Sequence, residues 1–193
     1  GTSMGPLRGN KGGNKYEGHM RVPTVAWWPG TIAADSQTAE ISSTIDMLPT
    51  FAKLAGATMP TDRVIDGKDV SALLIETNAK SPHQLMFYEF EGIRRGPWKL
   101  ALCPGSGGWS APKPAAAKKN KSLPPLQLYD LDADPAEQNN LQAKRPKLVQ
   151  DLVATLAKAI KNGRTTPGPI QPNEGHPNTF SQKLLAAFPA LGQ

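Results

Sequence analysis

The sequence predicts an α/β fold with a small antiparallel sheet packed on a long helix near its C-terminal end, and three patterns predict it. Leu148, Leu152, Leu156 and Ile160 recur at i, i+4, with Val149, Val153 and Ala157 beside them, so Pro146 to Asn162 forms an amphipathic helix that stops at Gly163. His83 to Leu102 reads as a β-hairpin, and Leu126 to Leu131 alternates apolar and polar side chains as a strand does. Val22 to Trp28 is a short β-branched run ended by Pro29-Gly30, and a capped helix follows it, the strand-then-helix order of an α/β unit.

Each element has a local reason. In Val22 to Trp28 the adjacent Trp27 and Trp28 would point to opposite faces of a strand, which predicts that both faces are covered. Asp46 suits a helix N-cap, Pro49 falls in the first turn where its missing donor costs little, and Gly56 ends the run. Leu48, Phe51 and Leu54-Ala55 make the apolar face of that helix. Asp69 caps a short helix through Leu73 and Leu74. In the hairpin, Leu85 to Phe90 is one arm, Glu91-Gly92 the turn, Gly96-Pro97 a further break, and Trp98 to Leu102 lies on the return with Arg94 and Arg95 before it. Pro104 to Pro125 is rich in Pro, Gly, Ala and Lys, which predicts a long surface excursion anchored by Trp109. Asp132 and Asp134 follow the last strand in a turn; the run lacks the ligand spacing, central glycine and closing Glu of a calcium loop.

Composition bounds the function. The 193 residues suffice for one ordinary domain, while 19 Pro and 18 Gly make much of the chain loop. The net charge of +6 favours anionic partners, but basic residues are interleaved with acids rather than gathered in a nucleic-acid stripe. No apolar run approaches the roughly 20 residues of a membrane span, and the opening Gly-Thr-Ser-Met-Gly-Pro does not read as a signal peptide. One cysteine, Cys103, excludes an internal disulfide framework. His19, His83 and His176 show no ligand spacing and read as surface or loop residues.

The stretch Arg8 to Pro23 is the candidate site. It sets Arg8, Lys11, Lys15 and Arg21 among four glycines around Tyr16-Glu17-Gly18. Glycines let the backbone approach a bound group, and cations on such a loop suit a tetrahedral anion; a solvated basic loop is the plain alternative. Arg94 and Arg95 read either as solvent-facing strand charges or as anion contacts at a cleft rim.

The words of the chain, in order, resemble the C-terminal part of the sulfatase family. Leu7-Arg8-Gly9-Asn10-Lys11-Gly12, then Tyr16-Glu17-Gly18 and Arg21-Val22-Pro23, are similar to that family's glycine-rich signature. Trp28-Pro29-Gly30 with Ile32, Asp46-Met47-Leu48-Pro49-Thr50 with Leu54-Ala55-Gly56, Asp66-Gly67 with Asp69, Arg95 to Leu100, and Leu128-Tyr129-Asp130-Leu131 with Asp134-Pro135 and Glu137 continue the match, which Asn139-Asn140-Leu141 closes.

The resemblance implies hydrolysis of sulfate esters by a formylglycine nucleophile with a calcium ion, and an alkaline-phosphatase-like fold. Residues 1–75 would end the large domain, 83–162 would form a small subdomain with the loop 104–125, and 163–193 would be an irregular tail. It places the sulfate-binding lysine on Lys11; Arg8, Arg94 and Arg95 are further candidate substrate contacts by their charge and place in the chain. Lys15 rivals Lys11, because four residues separate Lys11 from Tyr16 where the family usually has three. His19 stands where a second glycine is usual, and Thr2-Ser3-Met4-Gly5 lacks the family's Asp-Asn calcium pair. The Cys-x-Pro-Ser-Arg nucleophile motif is absent, and Cys103 in Leu-Cys-Pro-Gly reads as a strand-end thiol. No metal ligand is therefore assigned to this chain; calcium and formylglycine would belong to upstream residues of a parent enzyme, periplasmic or secreted by family habit. The partners implied are a sulfated small molecule or glycan and the remainder of the sulfatase domain, with no nucleic acid. A glycan-binding fragment without catalysis and a phosphatase or phosphodiesterase relative are the alternatives.

Overall fold

The computed structural model describes residues 4–12, 15–88 and 91–171. They form two compact units: one holds the described residues up to Val22 together with Leu85–Lys161, the other holds Pro23–Gln84 and Asn162–Gln171.

The first unit is built on an antiparallel meander of β1 (Leu85–Phe87), β2 (Gly92–Arg95), β3 (Trp98–Ala101) and β4 (Gln127–Asp130), in that spatial order. Side chains alternate across a sheet, and the register sets what each face presents. Ile93 stands opposite Leu100 and Leu100 opposite Leu128, which makes one apolar row. Arg94 opposite Lys99, and Lys99 opposite Tyr129, make a polar row on the other face. The long helix Pro146–Asn162 covers the apolar row with Val149, Leu152, Val153 and Leu156. The four-residue spacing of its leucines is what lets one stripe meet the sheet, and Gly163 ends it at φ +63.

The expected two-armed hairpin is a three-stranded meander. Gly96 turns at φ +55 between the paired Arg95 and Trp98, so the second break is a full turn and Trp98–Ala101 is a third strand. The low-complexity stretch also departs from expectation. Its first half is packed: Ser106 is fully buried, its hydroxyl donates to Ser110 O and its N–H to Pro112 O. A short helix, Pro114–Lys119, follows with Pro at its start and Ala117 buried. Small residues pack closely where large ones could not, so low complexity here encodes contact rather than a mobile excursion.

In the second unit a 3-10 turn, Thr44–Asp46, leads into a helix Met47–Leu54, and Ser71–Ile75 forms another. Asp46 does not cap the helix Met47–Leu54 with its side chain; as the last residue of the 3-10 turn it accepts from the Ser43 N–H in the capping box of that turn. It does more, because its fully buried carboxylate also accepts from the Lys68 N–H and meets His83 Nε2 at 2.8 Å. His83 is thus not a surface histidine; 8% of its side chain is exposed. Val22 to Trp28 has no ladder pairing among the described residues and is exposed throughout, with Trp27 at 86%. The expected strand, covered on both faces, is not formed, since β-branched propensity cannot hold a strand without a partner edge. Leu48 and Phe51 of the expected apolar helix face are exposed as well. The expected helical turns within 182–188, and His176, lie outside the described residues.

Candidate functional site

The polar row of the sheet is where the cationic loop docks. Glu17, in a short helix Glu17–Met20, is the tie. Its Oε1 accepts from Lys99 Nζ at 2.9 Å and from the Tyr88 hydroxyl at 2.8 Å, and its Oε2 accepts from Arg21 Nε at 2.7 Å. Arg94 comes within 3.6 Å of the same carboxylate. Lys99 also donates to Glu137 Oε1 at 2.8 Å, and Glu137 Oε2 accepts the Glu17 N–H at 2.7 Å. Glu17, Lys99 and Glu137 are all fully buried. Burial pushes the Glu17 carboxyl up, but Lys99, Arg21 and Tyr88 outweigh it and hold the group at about 2. Burial pushes Glu137 up too, and there Lys99 does not fully compensate, with the neighbouring Glu17 charge adding to the rise.

Around this knot the loop is pinned at several backbone points. Gly18 N–H donates to Arg8 O at 2.8 Å, and a Cβ at Gly18 would stand 2.5 Å from that oxygen. Lys15 N–H donates to Ser106 O at 2.7 Å, and Trp109 N–H donates to Gly12 O at 3.0 Å. Asn10 N–H reaches the Ser110 hydroxyl, which in turn donates to Asn10 Oδ1.

The cations predicted for the site go to different places. Lys11 is exposed on the loop. Lys15 is buried, its ammonium 3.8 Å from Glu91. Arg8 lies 4.1 Å over the Tyr16 ring and donates to Glu137 O at 2.8 Å and to the Tyr129 hydroxyl. Arg94 shares the loop's face of the sheet and donates to Gly96 O. Arg95, one residue on, points to the opposite face and pairs with Asp151 of the long helix. Cys103 is buried, donates to Gly105 O, and has its thiol pushed by burial up to about 11. Sequence reasoning passed over Lys99 and Glu137. Their signal was a lysine at the centre of an otherwise apolar strand, which needs a buried counter-charge. Among the described residues no group of three or more His, Cys, Asp or Glu is placed to hold a metal ion.

Comparison with known proteins points one way. A family model described as Sulfatase matches residues 1–57. Human arylsulfatase A is 39% identical over 91% of this chain and 37% of its own length. Mouse steryl-sulfatase is 34% identical over 89% of this chain and 30% of its own length. The crystal structure of Ps i-CgsB in complex with k-i-k-neocarrahexaose aligns with 92% of this chain and 37% of its own, at 23% identity and a TM-score of 0.60, so the fold is shared. The chain spans about a third of the length of the curated relatives it matches. With the glycine-rich signature folded as a docked loop and these relatives matching along most of the chain, the protein belongs to the sulfatase family.

Proposed function

We propose that this chain supplies the sulfate-binding wall of a sulfuric ester hydrolase acting on aryl or carbohydrate sulfates, with Lys11 as the residue that meets the sulfate. The observation that carries it is the contrast of the two rival lysines. Lys15 is buried beside Glu91, whereas Lys11 is exposed on a loop fixed from both sides. A cation on a held backbone, facing open space, can stabilise the charge that builds on sulfate oxygens as the ester bond breaks.

The wider fold on this reading is that of the alkaline-phosphatase-like enzymes, exported from the cytoplasm. A calcium ion and a formylglycine would serve the parent enzyme. The described residues do not fit either group: they offer no carboxylate cluster, and Cys103 is a buried thiol with a raised pKa. No step is assigned to a metal or nucleophile in this chain, and on this reading the chain alone would bind without turning over.

Kinetics with 4-nitrophenyl sulfate and 4-nitrophenyl phosphate, on the parent enzyme and on the isolated chain, test the reading. The parent is expected to prefer the sulfate ester, Lys11→Ala to lower its kcat/KM by about a hundredfold or more, and the isolated chain to be inert. Preference for the phosphate ester, or an undiminished Lys11→Ala enzyme, would overturn it.

A further inference from the structure

We propose that Trp109 is a stacking platform for the pyranose ring of a sulfated saccharide whose sulfate is held at Lys11. The inference rests on the sulfate-binding role of the loop given above and names the class of group attached to that sulfate.

Trp109 is 70% exposed, although it stands in a segment whose backbone is fixed. Its N–H donates to Gly12 O, and Ser110 beside it is bonded to Asn10 in both directions. Ser106, fully buried, ties the same segment through Gly108 and Ser110. The indole lies so close to Gly12 that a Cβ there would stand 2.6 Å from its Cγ and Cδ2. Gly12 adopts φ +117, so the position suits glycine on two independent counts. The residue before it is Lys11. The loop thus brings the ring of Trp109 directly against the backbone that carries the exposed lysine, and leaves most of that ring open.

A single exposed aromatic is ordinary on a protein surface; Trp109 stands out because its backbone is fixed and its ring lies against the loop that carries Lys11. The groups beside it in the chain and across the loop say what it would take. Asn10, Lys11, Gly108 and Ser110 offer amide, ammonium, backbone and hydroxyl groups rather than an apolar wall. A sugar ring matches that mixture: its axial C–H groups present an apolar face to the indole while its hydroxyls stay at the edge among polar partners. An aryl or sterol ring offers the indole no hydroxyls for these polar neighbours, which is what the titrations below distinguish.

The test is a set of NMR titrations on the full chain, following the Trp109 indole N–H and the Lys11 amide. The ligands are glucose 6-sulfate, unsulfated glucose, 4-nitrophenyl sulfate and inorganic sulfate. Glucose 6-sulfate is expected to shift both signals and inorganic sulfate only that of Lys11. Trp109→Ala is expected to weaken glucose 6-sulfate about five- to tenfold and leave inorganic sulfate unchanged, with Trp109→Phe retaining most of the affinity. Equal weakening of 4-nitrophenyl sulfate would overturn the choice of a saccharide. A Lys11 signal that moves while Trp109 stays silent with every ligand would overturn the platform and leave the sulfate site standing. Silence of both signals with every ligand would overturn both.

Discussion

Lys99 and Glu17 meet at 2.9 Å across 82 residues of chain, and that buried contact is central among those that fasten the cationic loop to the sheet. Glu137 completes the knot by accepting from Lys99 and from the Glu17 N–H. Two carboxylates thus share one ammonium, with Arg21 and Arg94 at the margin.

Removal of the shared ammonium leaves two carboxylates buried without it. Lys99→Met is expected to cost about 3–5 kcal/mol, because a broken buried pair strands its partner's charge. Urea unfolding of the variant measures this, and a loss under about 1 kcal/mol would show the knot to be solvated rather than buried.

The two carboxylates respond to acid in opposite senses. Glu17 has its folded value lowered to about 2 from an ordinary 4.5, so its stabilising contribution is present above 4.5 and is lost as pH falls from there toward 2. Glu137 has its folded value raised, so its contribution is full below 4.5 and is lost as pH rises through the raised value. Stability is expected to climb slightly on acidification from neutrality and then fall steeply below pH 4.5, where Asp66 and Asp69, also lowered, add to the loss. Urea midpoints across pH 7 to 2.5 would trace it. The climb should vanish in Glu137→Gln, and its persistence there would assign it to another group.

Gly18→Ala should be far costlier than Gly5→Ala. At Gly18 a Cβ would sit 2.5 Å from Arg8 O and 2.6 Å from Gly9 O, backbone atoms that cannot step aside, whereas at Gly5 it meets nothing within 4 Å. Overpacking of this kind costs about 1–3 kcal/mol and here spreads the loop that carries Lys11. Gly5, at φ +58, pays only the left-handed backbone cost of about 1 kcal/mol. Thermal unfolding of the two variants gives the comparison, and equal losses would refute the contact.

Cys103 should resist thiol reagents in the native state. With its thiol pushed to about 11 from 9.0 and the sulfur buried, labelling at pH 8 is expected to run about a hundredfold slower than in urea. Rapid native labelling would mean that the Cys103–Gly108 turn opens readily.

What the sequence made legible was local. The long helix, its glycine stop and the strand through Leu128 follow from spacing and side-chain chemistry within a few residues. What it hid was pairing across distance. Asp46 with His83, and Glu17 with Lys99 and Glu137, are contacts between segments that no period links. Val22 to Trp28 failed for the converse reason, since strand propensity says nothing of whether an edge is present to pair with. At the candidate site the loop was found by its glycines and cations. Burial separates Lys11 from Lys15, a difference their shared residue type cannot express.

The segment from Pro104 to Pro125 divides into halves with opposite engineering properties. Between Gly105 and Pro112 several positions are held closely: Gly105 lies against Pro112 O and Ala117, Ser106 is sealed in, and Trp109 lies beside Gly12. From Lys118 to Ser122 the residues are exposed, and their local bonds are held by Asn120. A reporter or affinity sequence inserted after Lys119 should therefore leave the cationic loop undisturbed, whereas a single residue added near Ser106 would shift the registration of the whole wall.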